Sequence, residues 1–533
     1  MSALTGTGHL VRLALRRDRV VLPLWTLALG LLPAAIVPAT DELFPTAAER
    51  LTYAESTANT PTFLALYGPL YDPTLGAIVA QRSQFVVVIV ALACALTVVR
   101  HTRTEEEAGR RELLGSLVLG RGASLAAALI VAGGAALTTG VLVAAGMTAQ
   151  GSPVAGSIAF GGQLALAGLV FAAVAGVTAQ LAENAGASRG LAIAALGGAY
   201  VVRLAADVGG VGNGLSWLSW ASPFGWTQRL RPYADENWWP LLAAVALAVL
   251  LTALAARLSA GRDLGAGVLP PRLGPARAPR ALSGVFGLAW RLHSRTLYGW
   301  LAGVAVLGVV YGAVAGSIED LMRDNPEMRE IMTRMGGGSG ATDAYFSSVM
   351  EMLGLFAAAY AVSASLKPHA EEASLRAEPL LSAPVSRLRW LASHLLFAFA
   401  GPAALLAVGG LATGVMHALG RGGPGDVPSL LGAALAQAPA VWLIAGVAVL
   451  LFGLLPGLSG ASWAVVGVTV TITLFGAVLD LSQPVRDLSP FTHVPRLPGP
   501  SPDLLPLAWL LLAALALTAA GLAAFRRRDL RLG

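Results

Sequence analysis

The 533-residue chain is predicted to be an all-α integral membrane protein, with twelve transmembrane helices arranged as two six-helix halves of parallel orientation. Three observations predict this. Apolar residues make up 56% of the chain and charged residues 12%, with a mean hydropathy of +0.68. Soluble domains carry about 25% charged residues, so half that share leaves too little polar surface to face water. Apolar runs of membrane-spanning length recur along the whole chain, and landmarks of the first half return in the second in the same order.

A transmembrane helix needs about 20 mainly apolar residues. Twelve runs qualify, at roughly 20–38, 77–99, 123–148, 158–181, 190–208, 238–257, 297–316, 346–366, 391–418, 431–454, 461–480 and 505–525. They are rich in glycine and alanine, which let helix backbones approach closely in lipid. No run shows the polar–apolar alternation of a β-barrel strand. The net charge of +6 then reflects sorting of charge across a membrane and is not a nucleic-acid footprint. The one cysteine, Cys94, lies inside an apolar run and reads as an inert buried thiol.

Orientation follows from arginine placement. Arg12, Arg16, Arg17 and Arg19, the segment 101–121, the basic stretch 257–295, the segment Lys367–Arg389 and the tail Arg526–Arg531 fall on one side of the predicted spans. Alternate loops carry Asp41, Glu42 and Glu49, or Glu319, Asp320 and Asp324. Both termini are therefore expected in the cytoplasm, in a multi-pass protein of the cell membrane.

Basic residues before the first run resemble the start of a signal peptide. The internal repeat argues for a retained span instead. LALRRDRVVLPLW (13–25) returns as LAWRLHSRTLYGW (288–300), in mid-chain. EEAGRRELLGSLVLGR (106–121) returns as EEASLRAEPLLSAPVSR (371–387), pairing Glu106 with Glu371 and Glu107 with Glu372 if one residue is inserted. Gln163 and the GAS at 186–188 match Gln437 and the GAS at 460–462; SPF (222–224) matches SPF (489–491), and RDL (262–264) matches RDL (528–530). The domains expected are a first six-helix half at 1–257, a proline- and arginine-rich cytoplasmic linker at 258–285, and a second half at 286–533.

The chemistry of the chain is defined by what it lacks. A phosphate-binding loop requires a lysine after its glycines, and the sole lysine, Lys367 in SLKPH, has none before it. GGGSG (336–340) lacks a lysine and reads as a flexible loop. Seven scattered histidines form no metal-ligand spacing, and no nucleophile elbow is present, so neither a catalytic residue nor a metal site is predicted. Gln163 and Gln437 are polar residues repeated within spans, read either as interhelical hydrogen bonds or as the lining of a pathway.

The segment HTRTEEEAGRRELLGSLVLGR (101–121) interrupts two apolar runs. Glu105, Glu106 and Glu107 precede Arg110, Arg111 and Glu112, an order that suits a helix dipole and i,i+4 pairs between Glu106 and Arg110 and between Glu107 and Arg111. Leu113, Leu114, Leu117 and Val118 follow at helical spacing. The acidic pair and its arginine recur as Glu371, Glu372, Arg376 and Glu378. Two such helices facing the cytoplasm suit the docking of two identical soluble partners, rather than a plain solvated loop.

At these residues the sequence resembles the membrane subunit of type 2 ABC exporters, and more narrowly the fused permeases of actinobacterial exporters of polyketide antibiotics (the tetronasin-type group). The basic first helix, E-E-A-G-R-x-E-L-L after the second span, SPF before the sixth and R-D-L after it carry the resemblance, which covers the whole chain. It implies an amphipathic interface helix at the start of each half, about 8–19 and 284–295, bearing Arg12, Arg16, Arg19, Arg291 and Arg295. It also implies a coupling helix after each second span, seated in one of two copies of a separate ABC ATPase. This chain would bind no cofactor; ATP and magnesium would sit in the partner, and the cargo would be lipophilic: a drug, a polyketide antibiotic or a lipid-like molecule. The segments around SPF would dip into the outer leaflet, with Trp217, Trp220, Trp226, Trp238 and Trp239 as interfacial anchors. One departure stands out: Ser374, Leu375 and Pro379 replace Gly109, Arg110 and Leu113. The alternative is a proton-coupled secondary transporter with two six-helix halves, which the repeated acidic pair and the long outer loops at 39–76 and 317–345 fit less well.

Overall fold

The computed structural model describes the chain except for residues 1, 59–63, 65–66, 112–117, 208–215, 271–275, 278, 283, 325–339, 421, 476–480, 500–502 and 530–533. Among the described residues every regular element is helical, and twelve helical stretches are long and apolar enough to cross a membrane. They divide between two compact units, Met1–Leu273 and Gly274–Gly533, with six candidate spans in each.

Unit 1 opens with a short helix α1 (Thr7–Arg17) that stops before the first span, α2 (Val21–Leu43). The stop has two causes. Pro23 has no N–H to bond the carbonyl of Arg19, and the side chain of Asp18, the cap of α1, is drawn aside to Arg100 and His101. The remaining spans are α3 (Gln84–Val99, extended through a π-turn at Arg100–Thr104), α4 (Ala123–Ala149), α5 (Val154–Leu181), α6 (Ala185–Asp207) and α7 (Trp239–Gly261). Helix α5 is the axis of the unit, packing on α3, α4, α6 and α7. Glycine makes the closest of these contacts possible: a Cβ on Gly161 would lie 2.2 Å from the Gly140 carbonyl oxygen on α4.

Unit 2 is built from α8 (Val285–Asp324), α9 (Gly340–Ser365), α10 (Arg387–Gly420), α11 (Asp426–Leu435) with its continuation α12 (Ala438–Leu454), α13 (Ser462–Phe475) and α14 (Leu505–Arg527). The stretch 284–295, expected as a separate interface helix, instead runs unbroken into its span as the start of α8. His293 and Tyr298 stand where the first copy has Asp18 and Pro23, so neither cause of the break is present. The fourth span breaks at Ala436–Gln437, because Pro439 cannot donate to the carbonyl of Leu435.

Both SPF motifs end in buried turns. Ser222 donates to the Ala199 carbonyl at 2.6 Å, Ser489 shares a 2.8 Å hydrogen bond with Thr473, and Phe224 and Phe491 fill the cores beside them. Trp217, Trp220, Trp238 and Trp239 are exposed on unit 1, with Trp220 and Trp239 stacked 4.8 Å apart. Where the linker was expected to begin, α7 continues to Gly261 and residues 262–269 pack back on unit 1, with Val268 and Leu269 donating to the carbonyls of Gln180 and Leu181.

Candidate functional site

In each unit the charged segment that follows the second span is held by the arginine of the R-D-L motif. In unit 1 both oxygens of Glu106 accept from Arg262, at 2.8 and 2.9 Å, and one also accepts the Gly265 N–H at 2.7 Å. Arg111 at 3.2 Å and Arg103 at 3.5 Å complete the cluster. Arg262 further donates to Gln180 at 2.7 Å, and Arg103 donates to the carbonyls of Ala179 and Ala266. In unit 2 both oxygens of Glu372 accept from Arg528, at 2.8 and 2.6 Å. There the guanidinium lies over the rings of Phe452 and Phe525 at 4.9 and 5.0 Å.

These pairs are almost sealed from solvent: the side chains of Glu106 and Arg262 are 4% and 5% exposed, those of Glu372 and Arg528 6% and 12%. Planar bidentate pairing of this kind is directional, so each latch fixes the orientation as well as the position of its turn. Burial lowers the Arg111 pKa from its ordinary value, with Glu106 opposing that effect.

The latch also corrects the register of the repeat. Glu and Arg are separated by 156 residues in both units. A constant offset of 266 therefore relates Glu105 to Glu371, Glu106 to Glu372 and Arg110 to Arg376, with no inserted residue. The lesser pair obeys it too, since Arg110–Glu105 and Arg376–Glu371 are each 3.0 Å apart. Gly109 thus corresponds to Leu375, and both have left-handed backbones, with φ of +69° and +58°. Arg110 has its counterpart in Arg376, so that part of the departure inferred from sequence disappears, whereas Pro379 still stands where the first half has Leu113.

The same turn explains why the expected i,i+4 pairs do not form. The helix stops at Glu107, the chain reverses hand at Gly109, and the arginines reach back one residue farther, Arg110 to Glu105 and Arg111 to Glu106. Glu107 accepts from the N–H of Ala185 at 3.1 Å, satisfying a free donor at the start of α6. Glu105 also binds Arg17 at 2.5 Å, tying the segment to α1. Glu106, Glu371 and Glu372 are thus engaged within their own unit, whereas Glu107, Arg110, Arg376 and Glu378 are exposed. Glu112, Leu113, Leu114 and Leu117 lie outside the described residues. Arg12, Arg16, Arg19, Arg291 and Arg295 are exposed.

The two repeated glutamines differ. Gln163 donates to Gln84 at 3.2 Å, an interhelical hydrogen bond between α5 and α3. Gln437 sits at the break between α11 and α12, buried, with Oε1 unpartnered.

A family model described as "Multidrug efflux system permease Rv1217c, C-terminal domain" matches residues 8–258 and 282–526, which cover the spans of each half and the glutamate of each latch and stop just short of Arg262 and Arg528. The chain belongs to the multidrug efflux permease family. It is 44% identical over 532 residues, 99% of this chain and 96% of the relative, to the multidrug efflux system permease protein Rv1217c of Mycobacterium tuberculosis. In this permease the residues that sequence reasoning left without a role are Arg262 and Arg528. The signal was present: R-D-L recurs at the same distance from the acidic pair in both halves.

Proposed function

We propose that this efflux permease is the membrane subunit of an ATP-driven exporter of the type 2 ABC kind. Two copies of a separate ATPase bind one side of it, one per half, and the cargo is a lipophilic compound such as a drug, a polyketide antibiotic or a lipid-like molecule. Both termini face the cytoplasm, where the partner supplies ATP and magnesium. One observation supports this above the others: each unit presents an exposed charged turn braced from behind by a buried latch. Such a brace transmits force, whereas a solvated loop needs none.

Glu105, Glu106, Arg111, Glu371 and Glu372 support the turn; Glu107, Arg110, Arg376 and Glu378 are available to a partner. Purification from the native host with an affinity tag is expected to recover an ATPase. Arg110→Gln with Arg376→Gln, which removes the exposed charge without setting a carboxylate against Glu105 or Glu371, is expected to release it with only a small fall in melting temperature. Retention of the ATPase by the double variant refutes the docking role. Loss of efflux when the proton gradient is collapsed at constant ATP refutes ATP drive.

A further inference from the structure

Unit 2 contains a polar cavity of about 420 Å³ that reaches into its spans, between α9, the α11–α12 break and the loop before α14. Its volume lies in the range of small-molecule sites, about 300–1,000 Å³. Glu351 of α9 lines it, and no hydrogen bond or ion pair engages that carboxylate among the described residues. Gln437 lines it too, 4% exposed, with Oε1 unpartnered. On the loop side Arg486 is half-buried and its Nε is unpartnered, although its Nη2 donates to Gln483 at 2.6 Å. Arg496, exposed on the same loop, is the cation that acts on Glu351, and Ser347 and Ser348, whose hydroxyls donate to the carbonyls of Leu497 and Ala344, complete the polar wall.

Unit 1 shows what a closed version looks like. Gln163 is the repeat counterpart of Gln437, and under the 266-residue offset Gln84 falls one residue from Glu351. In unit 1 these two amides bond to each other, leaving one amide oxygen of Gln163 over. In unit 2 Met350 stands at the position of Gln84, no hydrogen bond joins Gln437 to the neighbouring Glu351, and both line the cavity. An ionisable group inside a span is costly and marks function by default, and a buried polar atom without a partner calls for an explanation, which a bound polar group supplies.

The chemistry specifies the occupant. A carboxylate and an amide oxygen together accept from a protonated amine. The Arg486 Nε–H on the same wall suits an ether or hydroxyl oxygen, and the Ser347 and Ser348 oxygens can accept from a ligand hydroxyl. We propose that this cavity binds an amino-sugar head group, a protonated amine flanked by hydroxyl and ether oxygens, on an otherwise lipophilic compound. The proposal rests on the efflux reading and narrows its cargo class.

The test uses the full chain in lipid nanodiscs, titrated with the fluorescent amino-glycoside daunorubicin and with its aglycone, daunorubicinone, after subtraction of empty discs. A charge-assisted hydrogen bond predicts a preference for the glycoside of roughly ten- to a hundredfold. Glu351→Gln is expected to bring the two affinities together, Glu351→Asp to keep the preference, and Gln437→Leu to weaken glycoside binding alone. Equal binding of both compounds by the unaltered chain overturns the proposal, as does a preference that survives Glu351→Gln. Export from cells holding the chain and its ATPase separates the two readings. Preference without export supports the site and refutes the efflux reading, whereas export without preference refutes the site alone.

Discussion

Replacing Glu106 with glutamine is expected to destabilise unit 1 more than Glu372→Gln destabilises unit 2. Glu106 is in contact with three guanidiniums, those of Arg262, Arg111 and Arg103 at 2.8, 3.2 and 3.5 Å, and accepts the N–H of Gly265. Its loss leaves three like charges together with little water to screen them, and breaking a buried ion pair by removing one partner costs about 3–5 kcal/mol. Glu372 engages Arg528, whose guanidinium keeps two aromatic faces after the carboxylate is gone. The loss there is nearer that of a charged hydrogen bond, about 1.5–3 kcal/mol. For units of this size each kcal/mol shifts the melting temperature by about 2–4 °C, giving falls of roughly 6–20 °C and 3–12 °C. Thermal scanning of tryptophan fluorescence in nanodiscs reads both, and limited proteolysis around 262–270 locates the loosening. Because Glu106 and Arg262 act on each other, Glu106→Gln with Arg262→Gln should cost less than the two separate losses combined. A coupling energy below about 0.5 kcal/mol, the error expected of independent sites, refutes the latch. So does an equal or greater fall for Glu372→Gln.

Two further outcomes follow from the turns and the buried phenols. Leu375 adopts φ +58° where its counterpart is glycine, and a left-handed backbone costs a non-glycine residue about 1–2 kcal/mol; Leu375→Gly is therefore expected to raise the melting temperature and Gly109→Leu to lower it, in the same fluorescence scan. Burial raises the Tyr233 pKa from 10.0 to about 12, while its hydroxyl bonds Ser157 at 3.1 Å. A folded pKa above the unfolded one contributes stability fully below pH 10 and loses it as pH rises towards 12. The melting temperature of Tyr233→Phe should accordingly fall less steeply than that of the unaltered chain over that window.

The spans were legible because the membrane imposes its thickness on every one of them. A run of about 20 apolar residues has few other uses, and small residues such as Gly140 and Gly161 announce close packing. The duplication was legible for the same reason, since landmarks at span ends cannot drift. The latches were not, because their partners lie 156 residues apart and only the folded unit brings them together. Local rules misled at the turn itself: glutamates followed by arginines suggest a continuous helix with i,i+4 pairs, and Gly109 was the residue that contradicted it. In the second half leucine occupies the corresponding position, which hid the reversal and displaced the alignment by one residue. The unbroken start of α8 was concealed likewise, because the likeness of 13–25 to 288–300 rests on Leu, Ala, Arg and Trp, whereas the break depends on Asp18 and Pro23.

The position of each latching arginine sets an order of events during synthesis. Arg262 and Arg528 each follow the sixth span of their unit, so a glutamate made after the second span waits for 156 further residues before its bidentate partner exists. At about 5–20 residues per second that wait lasts roughly 8–30 s. During this interval an acidic side chain beside the membrane has water as its only solvent, which keeps the turn outside the bilayer while the remaining spans insert. Closure of the first latch then coincides with completion of the first half, before the second begins, and a ribosome that stalls short of Arg528 leaves a product with one half locked and the other still open to quality control.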